Sequence, residues 1–138
     1  MRTEEDCKSL IKGLKEGVID LITSDHKPVN TEFKQIEFDH AENGTIGLES
    51  IFGALNTIFS ARESVKFLTQ GKSLFGIEAS PIDVGNKACL TCFNPDISYN
   101  FTNENIFSSS KNAIFLNKKL KGKVYGIIAN NKLKINYE

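Results

Sequence analysis

The 138-residue sequence predicts an α/β fold, and three observations carry that prediction. Apolar residues at helical spacing over 4–16 lead without a linker into an apolar run at 18–24 that reads as a strand. That run is apolar on both faces: on a two-residue period Ile19, Leu21 and Thr23 share a face with Asp25, while Val18 and Ile22 lie on the other. Strands of this kind belong to parallel sheets covered by helices. After Pro81 the texture changes to short β segments divided by turn residues, which predicts a small β layer beside the helical part.

The elements follow in order. Thr3 is placed to cap a first helix whose opening turn carries Glu4, Glu5 and Asp6, where acids suit the helix dipole. Cys7, Leu10, Ile11 and Leu14 form its apolar face, and Gly17 is its stop. A helix delivered straight into a two-faced strand is half of a right-handed β–α–β crossover, so Met1 is expected to begin inside a repeating unit. From 27 to 43 the chain is polar, with Pro28 as a helix breaker, and its length suits a functional loop better than a connector. Leu48, Ile51, Phe52, Leu55, Ile58 and Phe59 form an apolar stripe that predicts a helix over 46–61 covering a sheet. A further helix is expected from an N-cap at Ser64, with Phe67, Leu68, Leu74 and Phe75 inward and Gly76 at its end. Strands are expected at 88–93, 98–102, 113–116, 123–129 and 132–137. Asn130-Asn131 forms a two-residue hairpin turn between the last two. The division falls into 1–76, a helical part with one strand, and 77–138, a β-rich part.

Basic and acidic residues number 17 each, so no global field argues for nucleic acid or a membrane surface. Residues 1–50 hold 11 acids against 6 bases, whereas 111–134 hold seven lysines and no acid. Lysines alternating along strands, with no arginine among them, read as a solvated face rather than a polyanion site. No apolar run approaches membrane-spanning length, and the first residues lack the apolar core of a signal peptide. Three cysteines, an odd number, fit a reducing cytoplasm.

Asp25 and His26 carry the best chemical signal, two titratable groups at the C-terminal end of a strand, where parallel barrels place their chemistry. The ordinary alternative is an aspartate that caps a loop. His40 is isolated, and two histidines without a matching cysteine or glutamate spacing cannot make a full zinc site. Cys89-Leu90-Thr91-Cys92 has the spacing of redox and zinc motifs but falls in an expected strand, where residues three apart point to opposite faces, so it reads as structural. Gly71-Lys72-Ser73 has the ending of a phosphate-binding loop, but Lys66 occupies the place of the leading glycine and no strand precedes it; it reads as helix interior.

Thr23-Ser24-Asp25-His26-Lys27-Pro28 resembles the T/S-D-H-A-P-H signature of dihydroorotases, zinc enzymes of the amidohydrolase superfamily. Glu37-Phe38, Ala41, Gly44 and Gly47-Leu48-Glu49 look like that family's E-F-x-x-A-x-x-G-x-x-G-L-E segment. Ile82, Gly85, Ala88, Leu90, Phe93 and Pro95 are similar to its G-x-I-x-x-G-x-x-A-D-L-x-x-F-x-P region. Ser108, Ser110, Asn112, Phe115, Leu120, Gly122 and Val124 track its closing S-x-S-x-N-x-P-F-x-G-x-x-L-x-G-x-V. Allantoinase is a related alternative.

The resemblance implies the C-terminal part of a TIM-barrel amidohydrolase, its last helix–strand–helix unit within 1–76, plus a small β-sandwich layer over 77–138. It implies reversible hydrolysis of dihydroorotate to N-carbamoyl-aspartate in pyrimidine biosynthesis. By the same resemblance Asp25 would ligate one zinc and act as general base, and Gly44 would bring its backbone to the substrate. Two features depart from the pattern: Val29 stands where the family's last motif histidine helps to bind the substrate carboxylate, and the family's His-x-His pair, carboxylated lysine and two further histidines have no counterpart here. The chain alone is therefore expected to be inactive. A different reading is a non-catalytic homologue that scaffolds aspartate transcarbamoylase. Because a lone strand leaves Val18, Ile19, Leu21 and Ile22 without neighbours, self-association or a covering partner is expected.

Overall fold

The capping residues at the chain's first helix are also where local sequence chemistry is most decisive. In the computed structural model, which describes residues 3–78 and 81–135, α1 spans Glu4–Glu16. Thr3 accepts from the Asp6 amide while the Asp6 carboxylate accepts from the Thr3 amide, and Gly17 ends the helix at φ 75°. A 3₁₀ turn, Thr31–Lys34, lies in the polar loop. Then come α2 (Ile51–Ile58), α3 (Ala61–Thr69) and a 3₁₀ extension, Gln70–Phe75, closed by Gly76 at φ 64°. The second half contains β1 (Leu90–Asn100), a 3₁₀ turn (Asn103–Asn105), β2 (Lys119–Ala129) and β3 (Lys132–Ile135).

Two apolar clusters share α2 as a wall. Leu14, Leu55, Phe59 and Phe67 join the three helices, with Phe59 and Phe67 meeting edge to face at 5.1 Å. Ile46, Phe101, Ile106 and Leu120 form the second, with Ala54 of α2 and Tyr99 of β1 against it. Gly53 lets α2 approach the sheet closely, since a methyl group there would meet the Tyr99 hydroxyl and Leu120. One turn on, the buried Asn56 donates its amide to the Pro95 and Lys121 carbonyls, tying α2 to two strands.

The sheet is antiparallel in the order β1–β2–β3. Asn130 and Asn131, at φ 51° and 58°, make the expected two-residue turn between β2 and β3. The β1–β2 pairing is interrupted between Asn94 and Ser98, and Pro95, which has no amide to donate, falls in that interruption.

Several sequence expectations are corrected. Residues 18–24 form no strand: Val18 and Ile19 donate back to the Gly13 carbonyl at 2.9 and 3.1 Å, Ile22 N–H donates to the Phe67 carbonyl at 3.0 Å, and no ladder forms along the segment. Ile19 and Ile22 pack on the helical cluster instead, while Val18 is 76 % exposed. The helix expected over 46–61 is confined to Ile51–Ile58, because its early part is drawn into turns by the site loop. Ser60, not Ser64, caps α3, paired with Glu63 in a capping box; Ser64 is fully buried inside the helix. Leu74 and Phe75 face outward. The segments at 88–93 and 98–102 are largely one bulged strand, with Phe101 and Thr102 beyond its end, and 113–116 is a turn. Among the described residues there is one three-stranded sheet and no second sheet facing it, so the β-sandwich layer is not formed. Cys89 lies ahead of β1, and only Cys92 is in it; both are free thiols. The residues of the expected strand 132–137 beyond Ile135 lie outside the described residues.

The fold leaves much surface uncovered. It exposes 10493 Å², whereas a compact monomer of its 15.3 kDa exposes about 7,100 Å². Val84, Phe38, Ile82, Phe75 and Phe107 are among its outward apolar side chains. Among the described residues no helix is long and apolar enough to cross a membrane.

Candidate active site

Three segments meet at the site, the first being the loop 24–29. His26 pairs with Thr45 in a parallel bridge, and the Lys27 amide donates to the Thr45 carbonyl at 3.0 Å. The third segment, around Asn112, closes the other side. The Asn112 side chain donates to the Gly44 carbonyl at 2.8 Å, its own carbonyl accepts from the Ile46 amide at 2.9 Å, and the Thr45 hydroxyl bridges to Asn112 and Ile114. Ser110, buried, donates its hydroxyl to the Val29 carbonyl at 2.7 Å. Buried backbone that would otherwise lack partners is thereby satisfied by side chains from far along the chain.

The glycines of this region are steric requirements. Gly44 has φ 145°, and a Cβ there would sit 2.9 Å from both the Lys27 carbonyl oxygen and Val29 Cγ2. A Cβ at Gly47 would sit 2.8 Å from the Ser24 carbonyl oxygen. Both glycines thus let the second segment lie directly on the signature loop.

Asp25 sits at the apex in the left-handed region, φ 43°, and is exposed. Among the described residues its carboxylate has no hydrogen bond or ion pair. A left-handed aspartate carries strain that only the surrounding structure can hold. His26 is half-buried beside it, with Nδ1 accepting from the amides of Gly47 (3.1 Å) and Leu48 (3.3 Å). His40 lies elsewhere on an exposed turn. Two concavities, one lined by Leu14, Ile19, Lys66 and Leu74 and another by Ile58, Ile114, Phe115 and Leu120, include neither Asp25 nor Gly44.

Glu49 is a site residue to which the sequence reading assigned no role. Its Oε1 accepts from both the amide and the hydroxyl of Ser108, while Oε2 is buried without a partner. Burial raises its pKa, but the Ser108 hydroxyl and the backbone N–H groups outweigh this and hold it below the ordinary 4.5. Because the folded state favours the ionised form, Glu49 adds stability above the unfolded-state value that is lost as pH falls through its depressed folded value. Acid unfolding curves should therefore show a decline below about pH 4.5 that Glu49→Gln reduces; an identical acid limb in the variant would refute the coupling.

Metal donors are sparse: among the described residues no three of His, Cys, Asp and Glu are grouped to hold an ion. At the junction of the three segments Asp25 is an exposed carboxylate without a hydrogen-bond or ion-pair partner among the described residues, and by itself it is not a coordination set.

No protein-family model matches the chain. Curated relatives do. It is 38% identical over 140 residues to a dihydroorotase of Caldicellulosiruptor saccharolyticus, covering 96% of this chain and 33% of that protein. By sequence, the chain is a relative of the dihydroorotases. A Chlorobaculum tepidum dihydroorotase is 34% identical over 94% of this chain and 31% of its own length. The dihydroorotase-like chain thus spans about a third of the curated relatives it matches, the extent that a C-terminal portion would have. Its fold superposes on a D-hydantoinase from Thermus sp. with TM-score 0.83 at 23% identity, covering 99% of this chain and 32% of that one. The dihydropyrimidinase of Brevibacillus agri matches with TM-score 0.82, again over 32% of its chain. These two likenesses show the fold: an α/β portion with a small antiparallel sheet.

Proposed function

We propose that this chain is the C-terminal portion of a dihydroorotase-like zinc amidohydrolase whose parent reaction is the reversible hydrolysis of dihydroorotate to N-carbamoyl-aspartate in pyrimidine biosynthesis, in the cytoplasm. The observation that carries the reading is the exposed, unpartnered Asp25, held left-handed where the three motif segments meet. Such a carboxylate is fit to be one zinc ligand among several. When bound, zinc supplies a Lewis acid and makes water nucleophilic near neutral pH. Asp25 would take the proton of the attacking water and return it to the departing amide nitrogen, and Gly44 would present backbone to the substrate ring.

The remaining ligands would come from barrel residues outside this sequence, 1–76 forming the end of that barrel and 77–138 the β-rich domain. The roughly 3,300 Å² of surface beyond a compact monomer's share supports a large covering interface, since a standard interface buries about 800 Å² per partner. The chain alone is inactive in this reading, and without that cover it self-associates.

A chimera in which this chain replaces the matching third of the Caldicellulosiruptor dihydroorotase tests the proposal. Dihydroorotate turnover by the chimera is expected, and a folded but inactive chimera would overturn it.

One observation favours a second reading. Val29, at the position of the carboxylate-binding histidine, is 4% exposed and packs at Gly44, so it offers the substrate nothing. A non-catalytic homologue scaffolding aspartate transcarbamoylase would tolerate that replacement. Allantoinase-type chemistry is a third option, which substrate profiling of the chimera separates.

A further inference from the structure

A histidine next to a candidate metal-binding aspartate invites the reading that it too is a ligand. The geometry points to a different role: His26 is the positioning residue of Asp25, fixed as the Nε2–H tautomer and clipped to the Gly47 and Leu48 amides so that the left-handed backbone at Asp25 is held. The metal role of Asp25 rests on the proposed function; the clip does not.

Both amides donate to the same ring nitrogen, Nδ1, at 3.1 and 3.3 Å. A backbone N–H can only donate, so Nδ1 must be the unprotonated nitrogen and the neutral ring carries its proton on Nε2. Metal-bound imidazoles show the opposite arrangement, with one nitrogen ligating and the other donating its N–H to an acceptor. Here the nitrogen that could ligate bears the proton, and the other is already occupied. His26 is thereby excluded as a neutral imidazole ligand and left with an N–H donor at Nε2.

The clip acts on the residue before it. Asp25 lies between the Ser24 carbonyl, against which Gly47 sits too close for a methyl group, and the His26 ring, anchored on Gly47 and Leu48. The Lys27 amide bond to Thr45 fixes the far side. With both flanks tied to one short segment, the φ of 43° at Asp25 has support that its own side chain does not provide.

The experiment is ¹⁵N NMR on the intact chain without metal, followed by three variants. In the wild type, the His26 ring should show an unprotonated Nδ1 and a protonated Nε2. Asparagine can place its amide oxygen close to where Nδ1 lies, whereas glutamine mimics Nε2. His26→Asn should therefore keep slow exchange at the Gly47 and Leu48 amides and keep the Asp25 backbone and carboxyl shifts. His26→Gln and His26→Ala should lose at least tenfold in that protection and move the Asp25 resonances, with α1 and β2 resonances unchanged.

A protonated Nδ1 in the wild type would overturn the proposal without any variant having to fold. So would rescue by glutamine rather than asparagine, or an Asp25 signal indifferent to His26→Ala. None of these readouts involves zinc or turnover, so failure of the dihydroorotase reading would leave a distinct result.

Discussion

Asp25→Asn in the active chimera should lower dihydroorotate turnover by about 10²–10⁴-fold, the range expected when a general acid–base group is removed, with loss of a metal ligand acting in the same direction. Asparagine is the informative replacement because it tolerates the left-handed backbone at least as well as aspartate, so φ 43° is kept while the charge and the basic carboxylate are lost. Steady-state kinetics at saturating dihydroorotate, alongside a thermal melt, separates chemistry from folding. Full activity with an unchanged melt would remove Asp25 from the reaction.

The second large effect concerns stability. Phe101 is 1% exposed at the centre of the cluster formed with Ile46, Ile106 and Leu120. Phe101→Ala should cost about 3–5 kcal/mol in urea unfolding, the usual loss for a buried phenylalanine. Its backbone bonds to Lys118 and Asn117 survive the change, so the loss reports the ring. Because Ile46 adjoins the Thr45–Gly47 segment, the same variant should loosen the Asp25 loop. Phe38→Ala is the control: at 92% exposed, it should change stability by less than about 0.5 kcal/mol. Equal effects for the two would contradict the assignment of the core.

Features set by neighbouring residues were legible in the sequence. The Thr3 cap needs only Asp6 three residues on, Gly17 and Gly76 need only their own φ, and the Asn130-Asn131 turn needs only two left-handed asparagines. Features that depend on distant partners were not. Residues 18–24 have a strand's pattern, but a strand also needs a neighbouring strand's backbone, and here the segment's bonds run to Gly13 and Phe67 of two helices. Leu74 and Phe75 continue an apolar rhythm whose 3₁₀ geometry turns them outward. Of the site, Asp25 and Gly44 stood out through the resemblance. The Nδ1 clip, the Glu49–Ser108 pair and the Asn112 tie join residues 21 to 68 positions apart, a distance over which no local pattern operates. Ser60 was missed for a simpler reason: Ser64 also precedes an apolar run, but only Ser60 has a glutamate three residues later.

The central claim is that this chain contributes Asp25 to a metal centre built mostly from residues it does not contain. Zinc stoichiometry measured on the 138-residue chain, on the chimera and on the chimera carrying Asp25→Ala tests it most directly. Well under one zinc on the chain, a filled centre in the chimera and a clear drop on removing Asp25 are the predicted result. One tightly held zinc on the chain alone, or a chimera whose zinc content ignores Asp25→Ala, would contradict it.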